Sequence, residues 1–414
     1  MRLKLGMLVL LACGSASAEE TPNWAQYGGP KRDFSIPAPA SVGKGEDRLW
    51  RRDLGPGTSG IVCDGTSLFT MYSIPDSKNV SAGQEVVVAL DPKTGKSLWE
   101  VPYPVARLKG QESFSGEPIR PLSTPALLGA RLCTLGYTGL LKCFDPSTGK
   151  VIWEYDLVKE FEATPVQFGF ASSPLVTDGR FVVHVGGKQT ILVAFDPKDG
   201  KVVWKSKGGE PSYASPVVMP TKDGDTIVQV TRDAIFGLSA KDGQERWKFP
   251  MPKPLFTNVP TPIVLPKQRL LVSGQGLKGT RLLEVAEAGD RVTKVWKNEK
   301  STFFATNWLA DDAAVYGIAD KFFVALSLTD GKELWRDRTQ SDANAIRVGP
   351  DALVLRGDGR LSRCKLSRTG LEPNGNIELL SGRCWMAPTV QGEMLYARSE
   401  KEITAIRLSA ILKP

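Results

Sequence analysis

The sequence predicts an all-β chain folded as an eight-bladed β-propeller of four-stranded antiparallel blades. Three observations predict it: an eleven-residue turn that recurs five times, a tryptophan at one fixed place in each copy, and no helical period of comparable strength. The copies read ALDPKTGKSLW (89–99), CFDPSTGKVIW (143–153), AFDPKDGKVVW (194–204), GLSAKDGQERW (237–247) and ALSLTDGKELW (325–335). Their tryptophans, Trp99, Trp153, Trp204, Trp247 and Trp335, follow Asp91, Asp145, Asp196, Ser239 and Ser327 at one constant distance.

Each copy makes mechanical sense as strand, turn, strand. A short apolar run before the Asp or Ser reads as a buried strand. The Asp or Ser side chain accepts a hydrogen bond from the backbone two residues on, and Pro presets φ at the next position. Gly95, Gly149, Gly200, Gly243 and Gly331 then supply the positive φ that reverses the chain. The returning strand carries the Trp, and repetition at one position assigns that ring to packing between neighbouring repeats.

A second hairpin lies upstream of each turn, as in SSPLVTDGRFVVHVGG (172–187) and STPALLGARLCTLGY (123–137), so each repeat is four strands long. Trp50 and Trp296 extend the tryptophan series at spacings that suit one blade per repeat. Blades ending at Trp99, Trp153, Trp204, Trp247, Trp296 and Trp335 make six. The fifth is irregular, with two extra residues in EVAEAGDRVTKVW. A Trp-free segment over 343–382, turning at RLSRCKLSRTG, makes a seventh. The eighth is composite: three strands in 387–408 close onto an N-terminal strand around Trp50, which removes the exposed sheet edges.

The first eighteen residues carry Arg2 and Lys4, an apolar stretch from Leu5 to Leu11, and Ala16-Ser17-Ala18 before Glu19, the pattern of a cleaved secretory leader. The expected organisation is a signal peptide over 1–18, an N-terminal extension over 19–44 and the propeller over 45–414, in a periplasmic or secreted protein. Leu10-Leu11-Ala12-Cys13 offers a lipobox as the alternative, and lipidated Cys13 would tether the ring to a membrane. The net charge of +8 is interspersed rather than blocked, and no nucleic-acid motif is present. Cys63, Cys133, Cys143, Cys364 and Cys384 are odd in number and form no CxxC. They read as small buried hydrophobes, with a Cys133–Cys143 cross-strand bridge left open. His184 is the lone histidine, which excludes multi-histidine metal sites and reads as a core or channel residue.

The alternation of Ser173-Pro174, Ser215-Pro216 and Thr261-Pro262 with the recurring turn resembles the quinoprotein-type, PQQ-like eight-bladed propeller over nearly the whole chain. GFASSPLV (169–176), YASPVV (213–218), VWKNEK (295–300) and CWMAPTV (384–390) are similar to exported PQQ-binding-like propeller repeat proteins of bacteria. The resemblance spans two functions: PQQ-dependent alcohol and sugar dehydrogenases, and the propeller lipoprotein of the outer-membrane β-barrel assembly machinery, a protein-binding scaffold. In the dehydrogenases it implies PQQ on the axis between a Trp and adjacent cysteines, with Ca2+ held by Glu and Asn or Asp. This chain has no Cys-Cys pair and no matching ligand set, so no catalytic residue and no metal ligand is assigned.

Fold alone does not choose between these functions. Inner strands start near the axis, and departures from the repeat there mark an axial funnel. Trp308 and Trp385 stand outside the packing position and are expected to offer a stacking surface, with Asn307, Arg120, Gln167 and Tyr213 as polar neighbours. Loops over 102–121 and 157–169, carrying Phe114, Phe161 and Phe168, are expected to cover that face. Three functions follow in order: a non-catalytic scaffold for an envelope protein or polymer, a PQQ-type oxidoreductase, and a small-ligand module using the two tryptophans.

Overall fold

The structure is a computed structural model that describes residues 23–39, 47–108, 119–187, 189–253, 258–319, 321–338 and 342–412. The expected leader, Cys13 and Phe114 lie outside the described residues. Eight sheets follow one another around a ring, each built on four antiparallel strands. Blade 1 comprises Val62–Cys63, Leu68–Pro75, Ala82–Leu90 and Ser97–Ala106, numbered outward from the axis. Blades 2 to 6 repeat this order, ending on the outer strands Val151–Asp156, Val202–Lys207, Glu245–Pro250, Val292–Asn298 and Glu333–Asp337. The Trp-free segment forms blade 7, from Ala343–Val348 to Leu371–Glu378. Blade 8 is composite: Arg48–Asp53 pairs antiparallel with Glu402–Arg407, placing Trp50 opposite Ala405.

The recurring turn works as a joint between blades. Asp91 Oδ1 accepts from the backbone N–H groups of Lys93 and Thr94, both at 2.8 Å, and Gly95 takes φ 70°. The preceding blade's indole sits against that turn. Trp50 Nε1 donates to the Pro92 carbonyl at 2.9 Å, Trp99 to Pro146 at 2.8 Å and Trp153 to Pro197 at 3.1 Å. Trp204 reaches Ala240 at 3.1 Å, Trp296 reaches Leu328 at 3.1 Å and Trp335 reaches Ser367 at 2.8 Å. Gly95, Gly149, Gly200, Gly243 and Gly331 leave room for the ring: a Cβ on Gly149 would stand 2.8 Å from Trp99.

Near the axis a second set of contacts joins the blades and explains the Ser-Pro strand starts. The N–H of Gly60 donates to Thr124 Oγ1, that of Thr124 to Ser173 Oγ, that of Ser173 to Ser215 Oγ, and that of Ser215 to Thr261 Oγ1. From blade 6 onward other groups continue the relay. Trp308 Nε1 donates to the Thr261 carbonyl, Asn307 N–H to Asn344 Oδ1, Asn344 Nδ2 to the Trp385 carbonyl, and Thr389 Oγ1 to the Ile61 carbonyl. The relay passes through all eight blades and satisfies polar groups that burial would otherwise leave unpaired.

All five described cysteines are free and buried. Cys133 and Cys143 do stand opposite one another on neighbouring strands. His184 is core: Nε2 accepts from the Ser212 N–H at 3.1 Å, and burial pulls its pKa down to about 4.

Candidate functional site

Residues 23–38 cross one end of the channel as a strap. The Cys63 N–H donates to the Trp24 carbonyl and the Leu127 N–H to the Ala25 carbonyl. Gln26 Oε1 accepts from the Val176 N–H at 3.2 Å, and the Tyr27 hydroxyl bonds Thr261. On the far side Ser35–Ile36 pairs in parallel with Ala343–Val348 of blade 7. Arg32, only 4% exposed, donates through Nη1 to the Pro174 carbonyl at 2.9 Å and to Gln26 Oε1 at 3.1 Å. Burial lowers its pKa to about 10, which leaves it charged.

Above the strap the channel widens into a cup of about 500 Å3, within the range of small-ligand sites, with Tyr27 and Phe34 contributed by the strap. Arg120, Gln167, Tyr213, Asn307 and Trp385 meet on its wall. Trp308 does not, and this corrects its expected place in the funnel. The strand Phe303–Ala310 slips register between Phe303 and Trp308, which turns the indole into the joint between blades 5 and 6. There it is 1% exposed, lies 4.8 Å from the Phe303 ring, and faces Gly317, whose missing side chain makes the space. Phe161 also lies in the core, whereas Phe168 is 46% exposed on the wall of the cup.

Arg107, Arg383, Tyr137 and Met386 also line the wall, and sequence reasoning did not name them as site residues. Arg383 had a signal in its position beside Cys384-Trp385, within the segment already marked as departing from the repeat. Its guanidinium lies 3.9 Å over the Trp385 ring. Glu400 ties two wall residues: Oε1 accepts from Arg120 Nη1 at 2.8 Å and from Trp385 Nε1 at 3.1 Å. Asn307 is held by its own amide, with Nδ2 donating to the Ala345 carbonyl and Oδ1 accepting from the Ala345 N–H. The Tyr213 hydroxyl accepts from the Phe168 N–H at 2.7 Å, and burial raises its pKa.

The wall can therefore stack and attract anions, with Arg120, Trp385, Asn307 and Tyr213 held in place by hydrogen bonds. The buried carboxyl with the largest upward displacement sits behind the wall, not on it. Glu85 is fully buried, accepts from the Tyr103 hydroxyl and the Tyr137 N–H, both at 2.9 Å, and is pushed up to about 7 by desolvation. PQQ with Ca2+ does not fit what is present. Among the described residues no three His, Cys, Asp or Glu side chains group as metal donors, and no carboxylate lines the cup.

The family described as outer membrane protein assembly factor BamB matches residues 82–337. The BamB of Yersinia pestis is 23% identical over 220 residues, which is 51% of this chain and 55% of that relative's length. The crystal structure of BamB from Moraxella catarrhalis superposes with a TM-score of 0.59 at 16% identity, covering 87% of this chain and 97% of that one. The quinohemoprotein alcohol dehydrogenase of Comamonas testosteroni superposes at 0.67 with 12% identity, covering 95% and 81%. At such identities the two solved structures share the fold, and that alone.

Proposed function

The chain belongs to the family of outer membrane protein assembly factor BamB, and on that premise we propose that it is a non-catalytic, envelope-associated scaffold that binds protein partners of outer-membrane assembly. The observation that carries this reading is the family match over 82–337. The funnel agrees with it. Arg383 is fixed by stacking and Arg120 by ion pairing, and none of the described wall residues is a carboxylate or histidine set to take a proton from a substrate. In this reading the cup and its rim, including Trp385, Arg120, Gln167, Tyr213 and Asn307, form a recognition surface at the axis. The regular outer joints keep it rigid.

The test pairs binding with turnover. The purified chain is titrated with PQQ and Ca2+ while tryptophan fluorescence and alcohol-dependent dye reduction are followed together. In parallel, the tagged chain is isolated from crosslinked cells. The expected result is an outer-membrane assembly protein in the crosslinked complex and no dye reduction. Saturable PQQ binding with turnover and no such partner would overturn the reading in favour of an oxidoreductase.

A further inference from the structure

Beside the axial cup, and opening into it through the shared residues Thr306, Asn344, Arg383 and Trp385, lies an off-axis cleft of about 930 Å3. It is walled by the turns between the second and third strands of blades 5, 6 and 7 and by the connection into blade 8. Its described walls carry Lys278, Lys321, Arg356 and Arg383 against Asp342 and Asp358. Asp358 is ion-paired with Arg356 at 3.0 Å. Neither Lys278 nor Lys321 ion-pairs with a described residue, and Glu299, whose field Lys278 shares, is held by Lys297 at 3.0 Å. Among the described residues the cleft thus carries four basic against two acidic side chains in a recess, where low-dielectric walls focus the field.

The two lysines occupy tight turns. Lys278 and Lys321 sit at φ 49° and 70°, a left-handed conformation that glycine adopts without strain and a side chain does not. The equivalent turn of blade 7 solves the same problem with Gly359 at φ 89°. Both lysines line the same cleft, as does Asp342 at φ 51°.

We propose that this cleft binds an acidic, extended peptide segment of a protein partner; the inference rests on the scaffold reading and names the chemistry of what the scaffold holds. A flat lipid surface cannot enter a recess between blade turns. A polysaccharide would gain most from stacking its sugar rings on a bare aromatic face, whereas one face of Trp385 is covered by the Arg383 guanidinium. A peptide needs neither: its carboxylates meet the two lysines, and its backbone can meet polar groups such as Gln275 and Asn344.

The test is fluorescence polarisation of the full chain with a fluorescein-labelled decapeptide of alternating Glu and Gly, with the Gln–Gly peptide as control and polygalacturonate as competitor. The Glu peptide is expected to bind saturably, to weaken tenfold or more in Lys278→Glu/Lys321→Glu, and to weaken severalfold between about 50 and 300 mM salt. Both substitutions are at exposed or left-handed turn positions, and an unchanged melting temperature will show that the ring stays folded. Lys278→Gly/Lys321→Gly, which relaxes the turns, is expected to weaken binding as well. No binding of the Glu peptide, equal binding by the charge-reversed variant, or tighter binding of polygalacturonate would overturn the proposal. In crosslinked cells, a partner retained by the charge-reversed variant would overturn the cleft assignment while leaving the scaffold reading intact. A partner missing from wild type as well would overturn the scaffold reading, and the peptide titration would still decide the cleft.

Discussion

The joint between blades 2 and 3 and the joint between blades 4 and 5 use the same tryptophan and end differently. Trp153 packs on Gly200 and donates Nε1 to the Pro197 carbonyl at 3.1 Å. Trp247 is just as buried, at 5% exposure, but its Nε1 has no acceptor. The turn of blade 5 is longer, with Gly289 facing Thr221, Thr226 and Arg246 instead of an indole, and the Trp247 ring lies with its Nε1 edge over Gly237 of its own blade. Burial is therefore enough to hold an indole between blades, while the hydrogen bond and the glycine seat fix how two blades register. The joint between blades 7 and 8 shows a third solution, with no Trp in the outer strand Leu371–Glu378. The helical turn Ser409–Leu412 packs there instead and buries Ile411.

The largest expected effect falls on the regular joint. Trp153→Ala should lower stability by about 3–5 kcal/mol, read from denaturant unfolding, because it empties a well-packed space and removes the indole's hydrogen bond to Pro197. Next is the joint between blades 1 and 2, where Glu85 titrates. Its carboxyl is raised in the folded chain, so the folded state holds its proton more tightly than the unfolded one. That contribution is fully present below the unfolded value of 4.5 and is lost as pH rises through about 7. Stability should fall over this interval by on the order of 3 kcal/mol, and Glu85→Gln should flatten that part of the pH profile.

A smaller change sharpens the comparison itself. Trp153→Phe should lose about 1–2 kcal/mol, since the indole's hydrogen bond and part of its volume are lost while Arg131 Nε still donates to the Pro197 carbonyl, whereas Trp247→Phe should lose clearly less because it removes an N–H that is already unpaired. Equal losses would mean that the hydrogen bond adds nothing to the joint. Smallest are the glycine seats. Gly149→Ala should lose about 1–2 kcal/mol, from φ 73° and contact with Trp99, while Gly370→Ala in the Trp335 joint should stay within about 0.5 kcal/mol, with nothing within 4 Å of its new Cβ.

The outer ring was legible because its information is local and repeated: eleven residues specify turn, glycine seat and indole. Closure was legible too, since Trp50 and the strands after Ala387 were complementary fragments of one blade. The axis was legible only in part. Asn307 and Trp385 break the repeat and reach the wall, but Trp308 breaks it equally and is buried, because the register slip after Phe303 reverses the face it presents. Nothing in a one-residue pattern announces such a slip. The strap was illegible for a different reason. Trp24, Arg32 and Phe34 belong to no repeat, and their partners include residues 142 and 367 positions away, Pro174 for Arg32 and Gln391 for Trp24. Arg383 and Lys278 were missed because single charges in turns look like ordinary solvated surface.

The most direct test of the scaffold account is photocrosslinking in cells from two places on the same ring. One probe replaces Gln275 at the off-axis cleft, and the other replaces Val203, exposed on the outer strand of blade 3. The account expects the cleft probe to capture a protein of outer-membrane assembly and the outer probe to capture little. Capture from Val203 alone, or from neither place, would contradict it.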